Sequence, residues 1–236
     1  EMTLNIKKTH SERLMPLLDA MLSESGIERE EVEAIAVAAG PGSFTGLRIG
    51  VATARALAQA LNIPAVAVST LAALALAVPV LPRPTGEKSF LICPILDARR
   101  NEVYTALYQP ALKAGLNQQS ASKNKYFCPH QLETVLEPQA LPLQDLLTEI
   151  ENFNQPVIFT GEGLHAYSAL LKNALPPEKA LIVDAPFRIS RAALVALCGQ
   201  QILHINPQAS YQDILPFYLR RPEAERLLKV KQSEAH

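Results

Sequence analysis

The chain has 236 residues, 48% hydrophobic and 19% charged, with 10 Gly, 18 Pro and no Trp, a composition that fits one large globular domain or two small ones and excludes a low-complexity chain. With 22 Lys and Arg against 23 Asp and Glu the formal net charge is -1, so no global field draws the protein onto a phosphate backbone, and any nucleic-acid contact is local or made through a partner. Cys93, Cys128 and Cys198 are odd in number, far apart and never in C-x-x-C spacing, which argues against a disulfide framework or a zinc knuckle and points to a reducing cytoplasm.

Met2-Thr3-Leu4-Asn5-Ile6 alternates apolar and polar residues and predicts a half-buried strand with nothing upstream to pair with, hence an incomplete N-terminus. No apolar stretch of the signal-peptide kind follows it. A helix is predicted next, capped by Thr9 or Ser11, with Glu12 in its first turn and Gly26 at its end. At 100° per residue, Leu14, Met15, Leu17, Leu18, Met21 and Leu22 cover an arc of roughly 160°, against the roughly 100° that one core contact occupies. A second surface is therefore expected on that face. Pro16, inside the pattern, removes a backbone donor and predicts a kink.

The run Ala34 to Ala39 lacks alternation, as a strand covered on both faces does. It leads through the loop Gly40-Pro41-Gly42-Ser43-Phe44-Thr45-Gly46 into a predicted helix from Thr45 to Leu61. Leu47, Val51, Ala54, Ala58 and Leu61 share one face of that helix, and Gly46 and Gly50 permit close backbone packing. A buried strand from Ala65 to Val68 and a helix from Ser69 to Ala77 complete a β-α-β-α-β-α pattern, which implies parallel strands. No charge falls between Arg55 and Arg83, but Pro64, Pro79 and Pro82 break that stretch, so it reads as strand, turn and buried helix and not as a membrane span.

The turn-rich segment 79–86 is the predicted boundary. Beyond it, Phe90–Leu96 and Val103–Tyr108 form a predicted hairpin around Asp97-Ala98-Arg99-Arg100-Asn101-Glu102, and the polar stretch 110–124 is expected to be an exposed, mobile loop. Predicted helices at 143–152, 164–174 and 190–203 then alternate with strands at 157–160 and 180–183, with no repeat at a fixed period.

Chemically, the glycine loop is the sharpest feature, because a strand-to-helix loop of this kind presents backbone N–H groups to an anion. Gly40, Gly42, Ser43, Thr45 and Gly46 are the candidate nucleotide-binding residues. The loop has no Gly-Lys-Ser/Thr, and its G-x-G-x-x-x-G spacing is one residue longer than the dinucleotide fingerprint. A structural turn with weak or no nucleotide binding is expected, in which Gly42→Val would act through backbone conformation. Ser43 and Thr45 would be nucleophiles only beside a base, and none is identifiable. The histidines His10, His130, His165, His204 and His236 include no pair at i, i+3 or i+4, so neither metal nor cofactor is expected. His10 before Glu12 reads as capping or partner contact sooner than catalysis. Asp97, Arg99, Arg100 and Glu102 have the chemistry of a phosphate or metal site, but a solvated hairpin tip is the plainer reading.

Taken in order, His10-Ser11-Glu12, the loop from Gly40 to Leu47-Arg48, the hairpin from Asp97 through Glu102-Val103-Tyr104, and Pro216-Phe217-Tyr218-Leu219-Arg220 resemble the bacterial TsaB (YeaZ) family over most of the chain. The resemblance implies an α/β, actin/Hsp70/sugar-kinase-like (ASKHA, ribonuclease H-like) fold of two subdomains. These would be residues 1–88, lacking the first strands, and 89–205, with a tail 206–236 returning to the first. The family opens with strands bearing an Ile-Asp-Thr-Ser-like phosphate motif, so roughly 20 to 30 residues are expected to be missing. The resemblance further implies a non-catalytic subunit that binds TsaD, with TsaE, for N6-threonylcarbamoyladenosine formation beside the anticodon, and that meets tRNA only through that complex. The helix carrying His10, Leu14, Met15, Leu18, Met21 and Leu22 is then the expected interface, with TsaD or with a second copy in a homodimer. An ATP-dependent kinase-like enzyme of the same fold and a TsaD-like metalloenzyme or glycoprotein peptidase are the rival readings.

Overall fold

In the computed structural model, residues 1–4, 10–78, 90–110 and 132–220 are described, with only the backbone of His10 and Ser11. The first helix, α1 (His10–Ser25), runs on through Pro16. It stops where Gly26 takes φ +67°, which lets Gly26 N–H reach the Ser23 carbonyl and Ile27 N–H the Leu22 carbonyl. Ser11 lies inside the first turn and so is not its cap; Thr9 lies outside the described residues. Residues 1–4 form no strand, which corrects the expectation for Met2 to Ile6 as far as the described residues reach. Alternation alone does not make a strand without a neighbour to pair with. The Glu1 carboxylate instead accepts hydrogen bonds from Arg191 and from the Ala193 N–H.

The next two strands are apolar and rich in Ala and Val, as expected for strands with both faces covered. β1 (Ile35–Gly40) and β2 (Ala65–Ser69) pair in parallel, and α2 (Phe44–Leu61) crosses between them. α2 begins one residue before its expected start, and Asn62 closes it in the left-handed conformation with φ 54°. β2 passes directly into α3 (Thr70–Leu76), every residue of which is buried. The described part of the first half thus reads α1-β1-α2-β2-α3.

The second half forms a five-stranded sheet from β3 (Leu91–Asp97), β4 (Glu102–Pro110), β5 (Leu132–Pro142), β6 (Val157–Thr160) and β7 (Ala180–Ile182), in the order β5-β4-β3-β6-β7. β3 is antiparallel to β4 and β4 to β5, whereas β3, β6 and β7 run parallel. The helices are α4 (Leu143–Glu151), α5 (Leu164–Ala174) and α6 (Ala192–Ile205). β6-α5-β7 repeats the strand-helix-strand plan of β1-α2-β2. The expected boundary at 79–86 and residues 111–124 of the expected mobile loop lie outside the described residues, while Pro110 ends β4.

Two cores result. The larger joins α3, both faces of the five-stranded sheet and α6; the smaller gathers Ala39, Val51, Ala58, Ala65 and Ile214 around the parallel pair. α6 lies on β1 and β2, and the tightest fit there is at Gly199, where a Cβ would stand 2.4 Å from that of Ala36. Gly50, by contrast, would bring a Cβ no nearer than 3.8 Å to Val37, so the close packing expected there is not needed. Among the described residues no helix is long and apolar enough to cross a membrane.

Candidate functional site

The ends of the two sheets face an open cleft of about 880 Å³, bounded by the glycine loop after β1, the β3–β4 hairpin tip, the loop after β6 and the segment 217–220. The two strand-to-helix loops share one device. Gly40 ends β1 with φ +131°, and a Cβ there would meet the Phe217 carbonyl oxygen at 2.3 Å. Gly161 follows β6 with φ +102°, and its Cβ would meet the Ile95 carbonyl oxygen at the same 2.3 Å. Each loop must be glycine where another backbone passes over it. Gly161 and Gly163 were not singled out in the sequence, although a Gly-x-Gly between a buried strand and a helix is the same signal as at Gly40.

Within the first loop, Ser43 caps α2: its hydroxyl accepts from Gly46 N–H at 3.4 Å, and its carbonyl from Leu47 N–H at 2.9 Å. Thr45 is exposed beside it. Gly42 carries no positive φ, and its Cβ would lie 3.8 Å or more from Leu47, so Gly42→Val does not act through strained backbone as expected; that role belongs to Gly40. The Phe44 ring stacks with Tyr218 at 4.9 Å between centroids, and the Arg48 guanidinium sits 4.0 Å above Phe44 while its Nε donates to the Tyr218 hydroxyl at 3.1 Å.

On the facing hairpin, Asp97 accepts from Arg99 N–H at 2.7 Å and pairs with the Arg99 guanidinium at 3.4 Å. Arg99, Arg100 and Asn101 all take left-handed φ, at 65°, 56° and 61°. Because the Arg99 side chain is 86% exposed, its ion pair contributes little. Arg220 is different: it donates to the Ala98 carbonyl at 2.8 Å and pairs with Glu102 at 2.6 Å, with the two side chains only 20% and 28% exposed. Burial raises the Tyr104 phenol above its ordinary range, partly offset by Arg220; burial, then Asp97, raises the Tyr167 phenol. Both phenols therefore stay protonated at neutral pH, and the Tyr167 hydroxyl donates to the Glu102 carbonyl at 3.5 Å.

No three His, Cys, Asp or Glu side chains among the described residues are placed to hold a metal ion. Cys93 shares a buried hydrogen bond with Thr105 at 3.3 Å, and burial pushes both its thiol and that of Cys198 up to about 12, which leaves them unreactive packing groups. His165 lines the cleft on its exposed side, 2 residues after Gly163.

The expected interface helix stands apart from the cleft. None of the described side chains of α1 is buried: Leu14, Leu17, Leu18, Met21 and Leu22 are half-buried, and Met15 is 48% exposed. Its position is held by light packing on α2 and by an exposed Arg29–Asp19 pair at 3.1 Å. The His10 side chain lies outside the described residues.

For the glycine loop we expect calorimetric titration with ATP to give no micromolar binding, with parent and Gly42→Ala alike, since Gly46 N–H is already engaged by Ser43. Micromolar affinity in the parent that Gly42→Ala removes at unchanged stability would contradict this.

The family model described as TsaD: tRNA N6-adenosine threonylcarbamoyltransferase matches residues 4–227. A Bacillus subtilis tRNA threonylcarbamoyladenosine biosynthesis protein TsaB is 35% identical over 93% of this chain and 83% of its own length. The Haemophilus influenzae TsaB is 27% identical over 91% of this chain and 81% of its own length. A crystal structure of an uncharacterized Pseudomonas aeruginosa protein with similarity to peptidase YEAZ superposes with a TM-score of 0.65 at 25% identity, covering 91% of this chain and 86% of that one.

Proposed function

Because the chain belongs to the TsaB (YeaZ) family, with its actin-like fold and its role in tRNA threonylcarbamoyladenosine biosynthesis, we propose that it acts as the non-catalytic scaffold subunit of that pathway. It binds TsaD, with TsaE, through α1 in the cytoplasm and reaches tRNA through that complex; alone, it pairs with a second copy through the same helix. The observation that carries this reading is α1, a helix with one apolar face whose described side chains all remain at least partly exposed. A soluble monomer has little reason to keep such a face open, and a partner helix would cover it.

The curated relatives carry the name of a biosynthesis protein and not of a transferase, which supports the non-catalytic part of the reading. The match to a family model named for a transferase favours one alternative, that the chain itself transfers the threonylcarbamoyl group. Reconstituting tRNA modification with each component omitted in turn separates the two. The scaffold reading expects activity to need TsaD and this chain together, and expects none from this chain alone. Modification by this chain without TsaD, supported by a stoichiometric metal whose removal abolishes it, would establish the transferase instead.

A further inference from the structure

The two sheets are joined by two sets of contacts of unlike chemistry. In the first, α3 and α6 pack into the shared apolar core, a joint held by buried side chains. In the second, the link is the segment 214–220. Its root belongs to the first sheet: Ile214 is 2% exposed in the smaller core, and Phe217 N–H donates to the Ala39 carbonyl at 2.7 Å. Its tip reaches across. Tyr218 rests on Phe44 and Arg48, and Arg220 grips the hairpin of the second sheet through the Ala98 carbonyl and Glu102.

We propose that residues 214–220 are a latch across the mouth of the cleft, fixed at Ile214 and Phe217 and released at Tyr218 and Arg220, with the α3–α6 packing as the hinge. Three observations carry it. The root is held by buried apolar atoms and a backbone hydrogen bond, whereas the tip is held by side chains: the Tyr218 ring on Phe44, its hydroxyl accepting from Arg48, and Arg220 on Glu102 and the Ala98 carbonyl. Tyr218 is 36% exposed, so the tip lies on the surface, where it can lift without opening a core. Its landing point is a hairpin tip of three consecutive left-handed residues, whose Ala98 carbonyl Arg220 holds at 2.8 Å. Releasing Arg220 therefore frees both the strap end and the hairpin tip, and the cleft opens about the apolar joint.

The test uses the full chain with Arg220→Ala, Tyr218→Ala and Glu102→Gln, the last of which attacks the same ion pair from the hairpin. Hydrogen exchange should speed by roughly tenfold or more at residues 98–103 in the Arg220 and Glu102 variants, while α5 and β6 exchange as in the parent. Spin labels at Gln59→Cys and Glu178→Cys, both exposed positions, on a Cys128→Ser background with Cys93 and Cys198 buried, should give a longer and broader distance distribution in the variants. Unchanged exchange and unchanged distances in all three variants would overturn the latch. So would a uniform acceleration across the whole chain, which would make the segment part of the global core.

Discussion

Replacing Gly40 with alanine is expected to lower folding stability by about 3 kcal/mol or more, while Gly42→Ala, two residues on, stays within about 1 kcal/mol of the parent. At Gly40 the φ of +131° already strains any residue with a Cβ, and the added carbon would stand 2.3 Å from the Phe217 carbonyl oxygen and 3.2 Å from Leu47 Cδ1. The Leu47 methyl can turn away. The carbonyl cannot, because the same residue's N–H is tied to the Ala39 carbonyl at 2.7 Å and the chain just before it is anchored by buried Ile214. Relief therefore means breaking the seat of the strap on β1. At Gly42 neither φ nor space opposes a methyl group, and the loss of unfolded-state freedom slightly favours it. Urea unfolding of the two variants measures the difference. A Gly40→Ala protein within 1 kcal/mol of the parent would show that the strap does not lie over this loop.

The parts of the fold legible in the sequence are those governed by local pattern. β6 and α5 fall where the apolar runs end, at Val157–Thr160 and Leu164–Ala174, and the antiparallel hairpin around Asp97 follows from two strands with a polar loop between them. β5 was not legible. Pro138 and Pro142 argue against a strand, and the ladder slips between the pairs Thr105–Gln139 and Leu107–Leu136, so its apolar residues lose their alternation. Pro138 is tolerated because β5 is the edge of the sheet.

The candidate site was legible in its pieces and not in its assembly. The glycine loop, the charged hairpin and Pro216-Phe217-Tyr218-Leu219-Arg220 could each be marked, but the contacts that join them bring Arg48 to Tyr218 across 170 residues and Arg220 to Ala98 across 122. Periodicity carries no information about pairs so far apart. Gly199 is a related case. An isolated glycine in an apolar helix reads as a weak point, and its reason exists only once Ala36 of β1 lies against it.

The other large effect is expected at α1, where Leu18→Glu should abolish binding to TsaD and self-association while leaving the chain folded. Truncating a central interface anchor commonly costs about 2 kcal/mol, roughly 30-fold in affinity, and Leu18→Ala is expected to do at least that. A carboxylate at the same point would be buried without a partner and should be worse. Leu18 lies at the middle of the apolar arc, flanked one turn away by Leu14 and Leu22, with exposed Met15 at its rim. Folding should survive because no described side chain of this helix is buried and its packing on α2 is light, so a charge at Leu18 can stay in water in the free protein. The control is Ala20→Glu, on the opposite, exposed side of the same helix, which should bind as the parent does. Pull-down with TsaD, sedimentation of the isolated chain and circular dichroism of each variant give the answer together. If folded Leu14→Ala, Leu18→Glu and Leu22→Ala proteins all bind and associate like the parent, the interface lies elsewhere and the half-open face of α1 has another purpose.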